Sequence, residues 1–446
     1  MCSSDLLGTI ALRTAGLLRA GAADAARACL RAVAAVVSPD GLPPSALLPN
    51  GQPDPAAAVL PPGEAEGLFA FMLLETHRFT GDTALLTELY PTLRTVLQRL
   101  SGLRGDERRR ASAASGFFAR TRRNLPLGSG AGPHEGLLMP DAAGQHPYAA
   151  LLWALNAWRE GTSAAELLGR DEDAAWMADE YRQLRASLRT SLRTSIDAMP
   201  APGIPESPER PVPSVRSAML LSWPCSDPSL AESWEIQSTL DGYYATFLDR
   251  IDATNAPASS ASEPLLSIPY ARLGRGDYAR EFLAQRLERR IPLHWHTWPD
   301  SISPDPRRRD PVGNMPDTRA AAAYLVAVRT LIADERGNRL DLLQGPPMEW
   351  LQYGEGLRVD HMPTQFGALD LEAYWNEDRF TVTIGGDARP PAGYRLCWPL
   401  TGLPDRVTLN GAAWQDFDEV SCTIPHDFRG TVEATLPYLA PWPREP

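Results

Sequence analysis

Lysine is absent from this sequence of 446 residues. All 43 basic side chains are therefore arginines, against 55 acidic side chains, and the formal net charge is −12. The arginine clusters at 108–110 and 307–309 are short and lie beside acidic residues. An acidic chain without a long basic run is poorly suited to nucleic acid or to an anionic membrane surface, since both carry dense negative charge. Neither partner is expected.

Cysteine is scarce and its spacing carries no motif. The five cysteines are an odd number and none forms a CxxC pair. A disulfide framework or a cysteine zinc site is therefore not expected, and a reducing, cytoplasmic compartment is favoured. Cys397 and Cys422 fall in one β-rich region, which leaves a single possible pairing open.

Long apolar runs are also missing. No stretch approaches the roughly 20 residues that a membrane-spanning helix needs. The opening "MCSSDLL" runs directly into an amphipathic segment, without the basic and apolar regions of a signal peptide. Its first six residues resemble an artificial leader, so we expect the natural chain to begin further upstream.

What the sequence has in abundance is paired amphipathic helices. Apolar residues recur near i, i+3, i+4 and i+7, the spacing that keeps one helical face apolar. Within the pairs, glycine precedes aspartate in "TGD" (80–82), "LGRD" (168–171) and "LGRGD" (273–277). This order predicts a left-handed glycine that ends one helix and a carboxylate that caps the next. The helical segments include 24–37, 67–79, 84–100, 147–169 and 172–196.

The connections between the helical pairs are long and rich in Pro, Gly and Ser. They cover residues 38–62, 103–146, 198–236 and 291–316. Loops of this length in a compact domain usually carry function. If the hairpins form a closed ring, the short turns share one face and the long loops share the other. A functional site is therefore expected on the long-loop face.

From about residue 338 the pattern changes to short segments that alternate apolar and polar residues. Gly, Pro, Asn and Asp separate these segments. This pattern predicts antiparallel strands in a small β-sandwich. We therefore divide the chain into a helical domain, 1–337, and a β-sandwich domain, 338–446, which is expected to pack on the last helix and to stay out of the site.

Several motifs resemble the closing segment of the six-hairpin glycosidases, a superfamily of bacterial glycoside hydrolases with an (α/α)6 toroid. The resemblance implies a toroid followed by the β-sandwich. About nine or ten helices are predicted where six hairpins supply twelve, so the ring is expected to be incomplete at its start. The motifs are "TWPDSI" (297–302), "RAAAAYLVAVRTLI" (319–332), "LDLLQGPPMEWL" (340–351) and "GLRVDHMPTQFGALDLE" (356–372).

The resemblance implies hydrolysis by two carboxyl groups, one acid and one base. Asp300 stands where the family carries a loop acid, usually Glu, and Trp298 could raise its pKa by lowering the local dielectric. Glu235, in the loop before Tyr243, and Asp317, before the last helix, are the candidate partners. Asn314 replaces another acid of the family pattern, which favours a degenerate site.

Aromatic and polar residues in the long loops are candidates for sugar contacts. Flat rings stack on the C–H faces of sugars, and histidine supplies hydrogen bonds. His294-x-His296 lacks a third ligand, so neither a metal nor another cofactor is expected. The candidate binding residues are Trp298, His296, Trp295, Trp234, Glu66 and His146.

Two functions remain open. The first is hydrolysis of a glycosidic bond by acid–base catalysis, with inversion favoured. The second is a degenerate protein of the same fold that binds carbohydrate or assembles with a partner. Isoprenoid cyclases share the toroid, but the helices lack their DDxxD and DxDD motifs. Two carboxylates facing each other across the cavity would favour the enzyme, and one or none would favour the binding protein.

Overall fold

The computed structural model describes residues 5–121, 134–252, 259–288, 297–302, 307, 313, 315–376, 378–399 and 402–436. Eleven α-helices lie before residue 333 in these ranges. In chain order they are α1 (Leu7–Arg19), α2 (Ala23–Ala34), α3 (Glu64–Thr80), α4 (Thr83–Thr121), α5 (Tyr148–Leu167), α6 (Asp171–Asp197), α7 (Val215–Ser222), α8 (Ser233–Asp252), α9 (Ser267–Arg272), α10 (Gly276–Glu288) and α11 (Thr318–Ile332).

The odd-numbered helices form a closed inner ring. α1 packs against α3, and the order continues through α5, α7, α9 and α11 back to α1. The even-numbered helices α2 to α10 lie outside this ring and pack against it. The described residues before 333 thus hold eleven helices rather than the expected nine or ten, and the six inner ones close into a ring. One reason is that α7, only eight residues long, lies within a stretch that the sequence predicts as loop.

Burial follows this two-layer arrangement. Residues 64–76 of α3 and 148–158 of α5 are all buried, as expected for helices that are apolar on every side. The outer helix α6 instead buries one stripe that includes Met177, Leu184 and Leu188. The helices that the sequence predicts as amphipathic therefore belong to both layers. Their burial distinguishes the inner helices from the outer ones.

The predicted hairpin turns are confirmed for their glycines. Gly81, Gly169 and Gly274 have φ angles of 64°, 63° and 76°, in the left-handed region. Asp82 also caps α4, since its Oδ1 accepts a hydrogen bond from the Leu85 N–H over 2.9 Å. The other two aspartates differ from the prediction: Asp171 and Asp277 lie inside the first turns of α6 and α10.

The C-terminal region consists of two packed sheets. One has the strand order β13-β10-β6-β5, with a parallel β6–β10 pair, and the other is the antiparallel sheet β12-β11-β14-β9-β8-β7. Helix α12 (Met348–Gln352) connects β6 and β7. The strands are β1 (Asp5–Leu6), β2 (Ala46–Leu47), β3 (Ser259–Ser260) and β4 (Ser301–Ile302) in loops, then β5 (Ala333–Arg336), β6 (Arg339–Leu342), β7 (Leu357–Thr364), β8 (Gly367–Asn376), β9 (Arg379–Gly386), β10 (Tyr394–Cys397), β11 (Arg406–Leu409), β12 (Ala412–Trp414), β13 (Ser421–Ile424) and β14 (Gly430–Thr435).

The two sheets contact the C-terminal ends of the inner helices. β5 follows α11 directly, so the proposed domain boundary at 337/338 falls in the turn between β5 and β6. Gln365 donates to Glu75 of α3 over 2.9 Å, and Arg329 of α11 donates to the Pro363 carbonyl over 2.7 Å. Phe366, which follows Gln365 in the same motif, packs against the core of the sheets.

Two further findings concern the cysteines and the apolarity of the helices. The cysteines Cys29, Cys225, Cys397 and Cys422 are free, so the possible Cys397–Cys422 disulfide is not formed. In the register of β10 and β13, Cys397 faces Ser421 rather than Cys422. No helix in the described ranges has the length and apolarity needed to cross a bilayer.

Candidate functional site

A cavity of about 460 Å³ lies at the centre of the ring, where the inner helices begin. The long loops lead into these helix starts, while the tight glycine turns lie at the other end of the ring. The cavity is thus on the long-loop face. All of its described lining residues lie at or before Arg319, so the sheets contribute none of them: Leu6, Gly8, Thr9, Ala11, Leu12, Leu60, Pro61, Glu64, Leu68, Phe71, Trp153, Arg216, Met219, Leu220, Trp223, Pro224, Ser262, Leu265 and Arg319.

Among these lining residues three are charged, and each lies in the first turn of an inner helix. Glu64 begins α3, whereas Arg216 and Arg319 are the second residues of α7 and α11. Arg216 donates a hydrogen bond to Oε1 of Glu64, and Arg319 donates to the Ser262 hydroxyl over 2.6 Å. Oε2 of Glu64 is buried and has no hydrogen-bond partner among the residues that the structure describes. One carboxylate oxygen is therefore unsatisfied beside the cavity.

The two arginines place positive charge where the helix dipoles already provide it. The N-terminal end of a helix carries a partial positive charge and disfavours cations. Burial lowers the pKa of Arg319; Asp317 and Asp300 oppose this effect, and the neighbouring Arg216 adds to it. Two guanidinium groups therefore face this part of the cavity, with Glu64 as the one carboxylate among the described lining residues.

Three aromatic rings contribute to the apolar part of the lining, together with aliphatic side chains. Phe71 meets Trp153 and Trp223 edge to face, with ring centroids 5.8 and 5.9 Å apart. Phe71 and Trp153 are buried, while Trp223 is half-buried at the end of α7. The rings hold one another in place, so they offer a rigid apolar surface to a ligand.

Asp300 and Trp298 lie near the cavity but are not among its lining residues. The Asp300 carboxyl is half-buried, accepts a hydrogen bond from Ser301 over 3.2 Å, and touches Gly313 so closely that a Cβ there would lie 1.8 Å from Oδ1. Its charge acts on Arg319. Trp298 stacks on Tyr324 of α11 at 4.9 Å. The structure thus couples Asp300 to the cavity through Arg319.

Asp317 and Glu235, the candidate partners of Asp300, both satisfy backbone groups at helix starts. Asp317 caps α11, with its Oδ1 accepting the Ala320 N–H over 2.6 Å. Glu235 accepts the Glu232 N–H and a hydrogen bond from Arg193, each over 2.8 Å. The Glu235 side chain is 1% exposed and lies outside the cavity lining. Asp317 lies close to Asp300, since both act on Arg319 and the Asp317 N–H donates to the Trp298 carbonyl over 2.8 Å, but neither Asp317 nor Glu235 is among the described lining residues of the cavity.

The remaining candidates occupy separate places. Trp234 is exposed on the surface, beside Glu235. Glu66 faces away from the central cavity and accepts the Gly63 N–H over 3.0 Å, and burial raises its pKa although Arg99 opposes this. His146 is buried against Glu209. Trp295 and His296 lie outside the described residues.

The residues that line the cavity were only partly accessible to sequence reasoning. Glu64 and Glu66 are both glutamates in the first turn of α3, so residue type does not distinguish them. Glutamate at the third helical position is the capping-box pattern, which marks Glu66 as structural. Trp153 lies within a helix and reads as a core residue. Arg216 and Arg319 carry no motif, although a cation in the first helical turn is an unfavourable placement that could have drawn attention to both.

The sequence matches no protein-family model and no curated protein. Its fold is similar to that of solved α-L-rhamnosidases. For the enzyme from Dictyoglumus thermophilum the TM-score is 0.58 at 11% identity, over 96% of this chain and 45% of that one. For the enzyme from Aspergillus terreus the TM-score is 0.54 at 12% identity, over 98% of this chain and 46% of that one. For the Streptomyces avermitilis enzyme in complex with L-rhamnose the TM-score is 0.51 at 14% identity, over 97% of this chain and 38% of that one.

This chain spans less than half the length of each of these three enzymes. The similarity covers nearly all of this chain, both the ring and the sheets. At identities of 11–14% it concerns the fold. The chain therefore shares the fold of these solved enzymes, a toroid of helical hairpins followed by packed β-sheets.

Proposed function

We propose that this protein binds a carbohydrate in the central cavity without cleaving it. The observation that carries the proposal is the composition of the lining, three aromatic rings with one carboxylate and two guanidinium groups. Rings pack on sugar C–H faces, while the charged groups hydrogen-bond to hydroxyls. Glycosidic hydrolysis uses two carboxyl groups roughly 5–9.5 Å apart. The described lining supplies one, Glu64, and it is engaged by Arg216.

The two arginines favour a sugar that carries a negative charge. Arg216 and Arg319 face the cavity from helix starts, and the described lining carries only one acidic side chain, Glu64, against these two cations. A guanidinium group binds a carboxylate with two parallel hydrogen bonds. A uronic acid would match both the aromatic surface and the two arginines, with its ring on Trp223 and its carboxylate at the guanidinium groups.

Binding is tested by calorimetric titration with D-galacturonate and L-rhamnose, the latter because it is bound in the Streptomyces avermitilis enzyme. We expect measurable binding and a preference for the uronate. Trp223→Ala should weaken binding by roughly 1–3 kcal/mol through the loss of buried apolar contact. Trp234→Ala is the matched control, because Trp234 is exposed outside the cavity. Equal effects of the two variants would contradict the proposal.

The preference for charge has its own matched pair. Arg216 and Arg193 each bind a buried glutamate, Glu64 and Glu235, but only the first pair lines the cavity. Arg216→Gln should therefore weaken uronate binding more than rhamnose binding, whereas Arg193→Gln should change neither. If Arg216→Gln leaves the ratio of the two affinities unchanged, the arginine does not select the anionic sugar.

Hydrolysis is the second candidate, favoured by the unpartnered Oε2 of Glu64. A buried carboxyl group with a free oxygen is able to protonate a leaving group. With Asp300 acting as the second carboxylate, Glu64→Gln and Asp300→Asn would each reduce turnover of a nitrophenyl glycoside by roughly 10²–10⁴-fold. We expect no turnover by the unaltered protein. Turnover that Glu64→Gln abolishes would replace the binding proposal with this one.

A further inference from the structure

Two histidines and a glutamate meet on loops outside the cavity lining. His134 and His146 belong to the connection between α4 and α5, and Glu209 belongs to the connection between α6 and α7. One potential ligand atom from each residue lies within 4.8 Å of the other two. The cluster therefore joins two loops that are distant in sequence.

Both histidines approach the same carboxylate oxygen of Glu209. Nδ1 of His146 is 2.6 Å from Oε1 of Glu209, and Nδ1 of His134 is 3.1 Å from the same oxygen. The backbone N–H of His146 donates to the second carboxylate oxygen of Glu209, Oε2, over 3.0 Å. The imidazole rings stack with their centroids 5.0 Å apart. Backbone and stacking contacts thus hold the three groups in one orientation.

Burial makes the cluster rigid on one side and open on the other. The His146 side chain is 7% exposed, and its Nε2 is buried without a hydrogen-bond partner in the described part of the chain. The side chains of His134 and Glu209 are 41% and 26% exposed. Glu107 adds a negative charge near His134, and its Oε2 is also buried, with no hydrogen-bond partner within the described ranges. An ion can therefore enter from solvent and meet a preformed, negatively charged set of ligands.

We propose that His134, His146 and Glu209 form a binding site for a divalent transition metal, zinc above all. Two imidazoles and one carboxylate are a ligand set that zinc accepts, with a fourth position left for water. Bond lengths of about 2.0–2.1 Å in a tetrahedral site separate the ligand atoms by roughly 3.4 Å. Small side-chain rotations would bring the three atoms to this spacing. The bound ion would fasten the two loops together beside the start of α5.

The test is a titration of the metal-free full-length protein with Zn²⁺ in a calorimeter, together with thermal unfolding. We expect one equivalent to bind with a dissociation constant in the micromolar range or below, and to raise Tm, because a ligand that binds only the folded state stabilises it. Co²⁺ in place of Zn²⁺ should give the intense visible absorption of a tetrahedral site. Absence of binding would leave a cluster held by hydrogen bonds alone and overturn the proposal.

Variants locate the site. His134→Ala and Glu209→Gln alter half-exposed side chains, so the protein should fold normally, and each should weaken Zn²⁺ binding by at least tenfold. His361→Ala is the matched control, since His361 is exposed beside Asp370 without a second histidine in that pair. Zn²⁺ binding that both cluster variants leave unchanged would place the metal elsewhere and refute this site.

Discussion

Two glutamates at the start of α3 differ only in the direction that their side chains take. Glu64 faces the cavity and meets Arg216, while Glu66 turns back to the Gly63 N–H and to Arg99. A step of two residues on a helix rotates a side chain by about 200°. Sequence reasoning named Glu66 as the candidate, whereas the packing of α3 in the ring places Glu64 at the cavity.

At the residue scale, Asp227 should make stability depend on pH. Burial alone would raise its pKa, but hydrogen bonds from Arg185 and from Ser229 bring the pKa below its ordinary value. An aspartate in the unfolded chain titrates near pH ~3.9. Because the folded pKa is the lower one, the stabilisation is fully present above that pH and is lost as the pH falls through the folded pKa.

The measurement is urea unfolding of Asp227→Asn and the unaltered protein over a range of pH. The substitution should lower the free energy of unfolding at pH 7 and flatten its decline between roughly pH 5 and pH 2. Asp179→Asn serves as the control, since Asp179 is half-exposed and pairs with an exposed Arg182. A steep acid decline that persists in Asp227→Asn would assign it to other carboxylates.

At the scale of elements, the contact between α3 and α5 depends on Gly67. A Cβ on Gly67 would lie 2.3 Å from the carbonyl oxygen of Trp153 in α5. Alanine favours a helix over glycine by about 1 kcal/mol, but the clash with backbone atoms forces the helices apart. Gly67→Ala should therefore destabilise the protein by roughly 1–3 kcal/mol and weaken ligand binding, because Trp153 lines the cavity.

Gly102→Ala provides the comparison for this change. Gly102 lies within α4, and no atom would lie within 4 Å of an added Cβ. The substitution should stabilise the protein by up to about 1 kcal/mol, since only helix propensity changes. Thermal and urea unfolding of both variants show whether each substitution raises or lowers the free energy of unfolding. Stabilisation by both would mean that α3 and α5 tolerate a wider spacing.

At the scale of the whole molecule, buried arginines connect the ring to the sheets. Arg19, Arg272 and Arg329 lie in the last turns of α1, α9 and α11, where the helix dipole favours a cation. Arg272 binds Asp334 of β5 through two hydrogen bonds of 2.7 and 2.8 Å, and both side chains are less than a tenth exposed. The ring therefore has one end that holds the cavity and another that contacts the sheets.

Asp334→Ala should destabilise the protein by roughly 3–5 kcal/mol, because it leaves Arg272 charged and buried without its partner. Asp360→Ala breaks an exposed pair with Arg358, and its effect should stay within about 1 kcal/mol. Differential scanning calorimetry compares the two and also shows whether ring and sheets unfold together. A small loss in Asp334→Ala would mean that the interface adapts or admits water.

The sequence by itself determined the helical hairpins, their glycine turns, the β-sandwich and the long-loop face, because each depends on local periodicity or turn chemistry. It also predicted the six-hairpin fold through motifs around Asp300. It did not determine which residues meet. Glu64, Arg216, Trp223 and Arg319 come from three inner helices, and only closure of the ring brings them together. The same holds for His134, His146 and Glu209, since their spacing follows no motif and two loops from different hairpins create the cluster. Proximity across a ring is a property of packing, and packing depends on the whole chain.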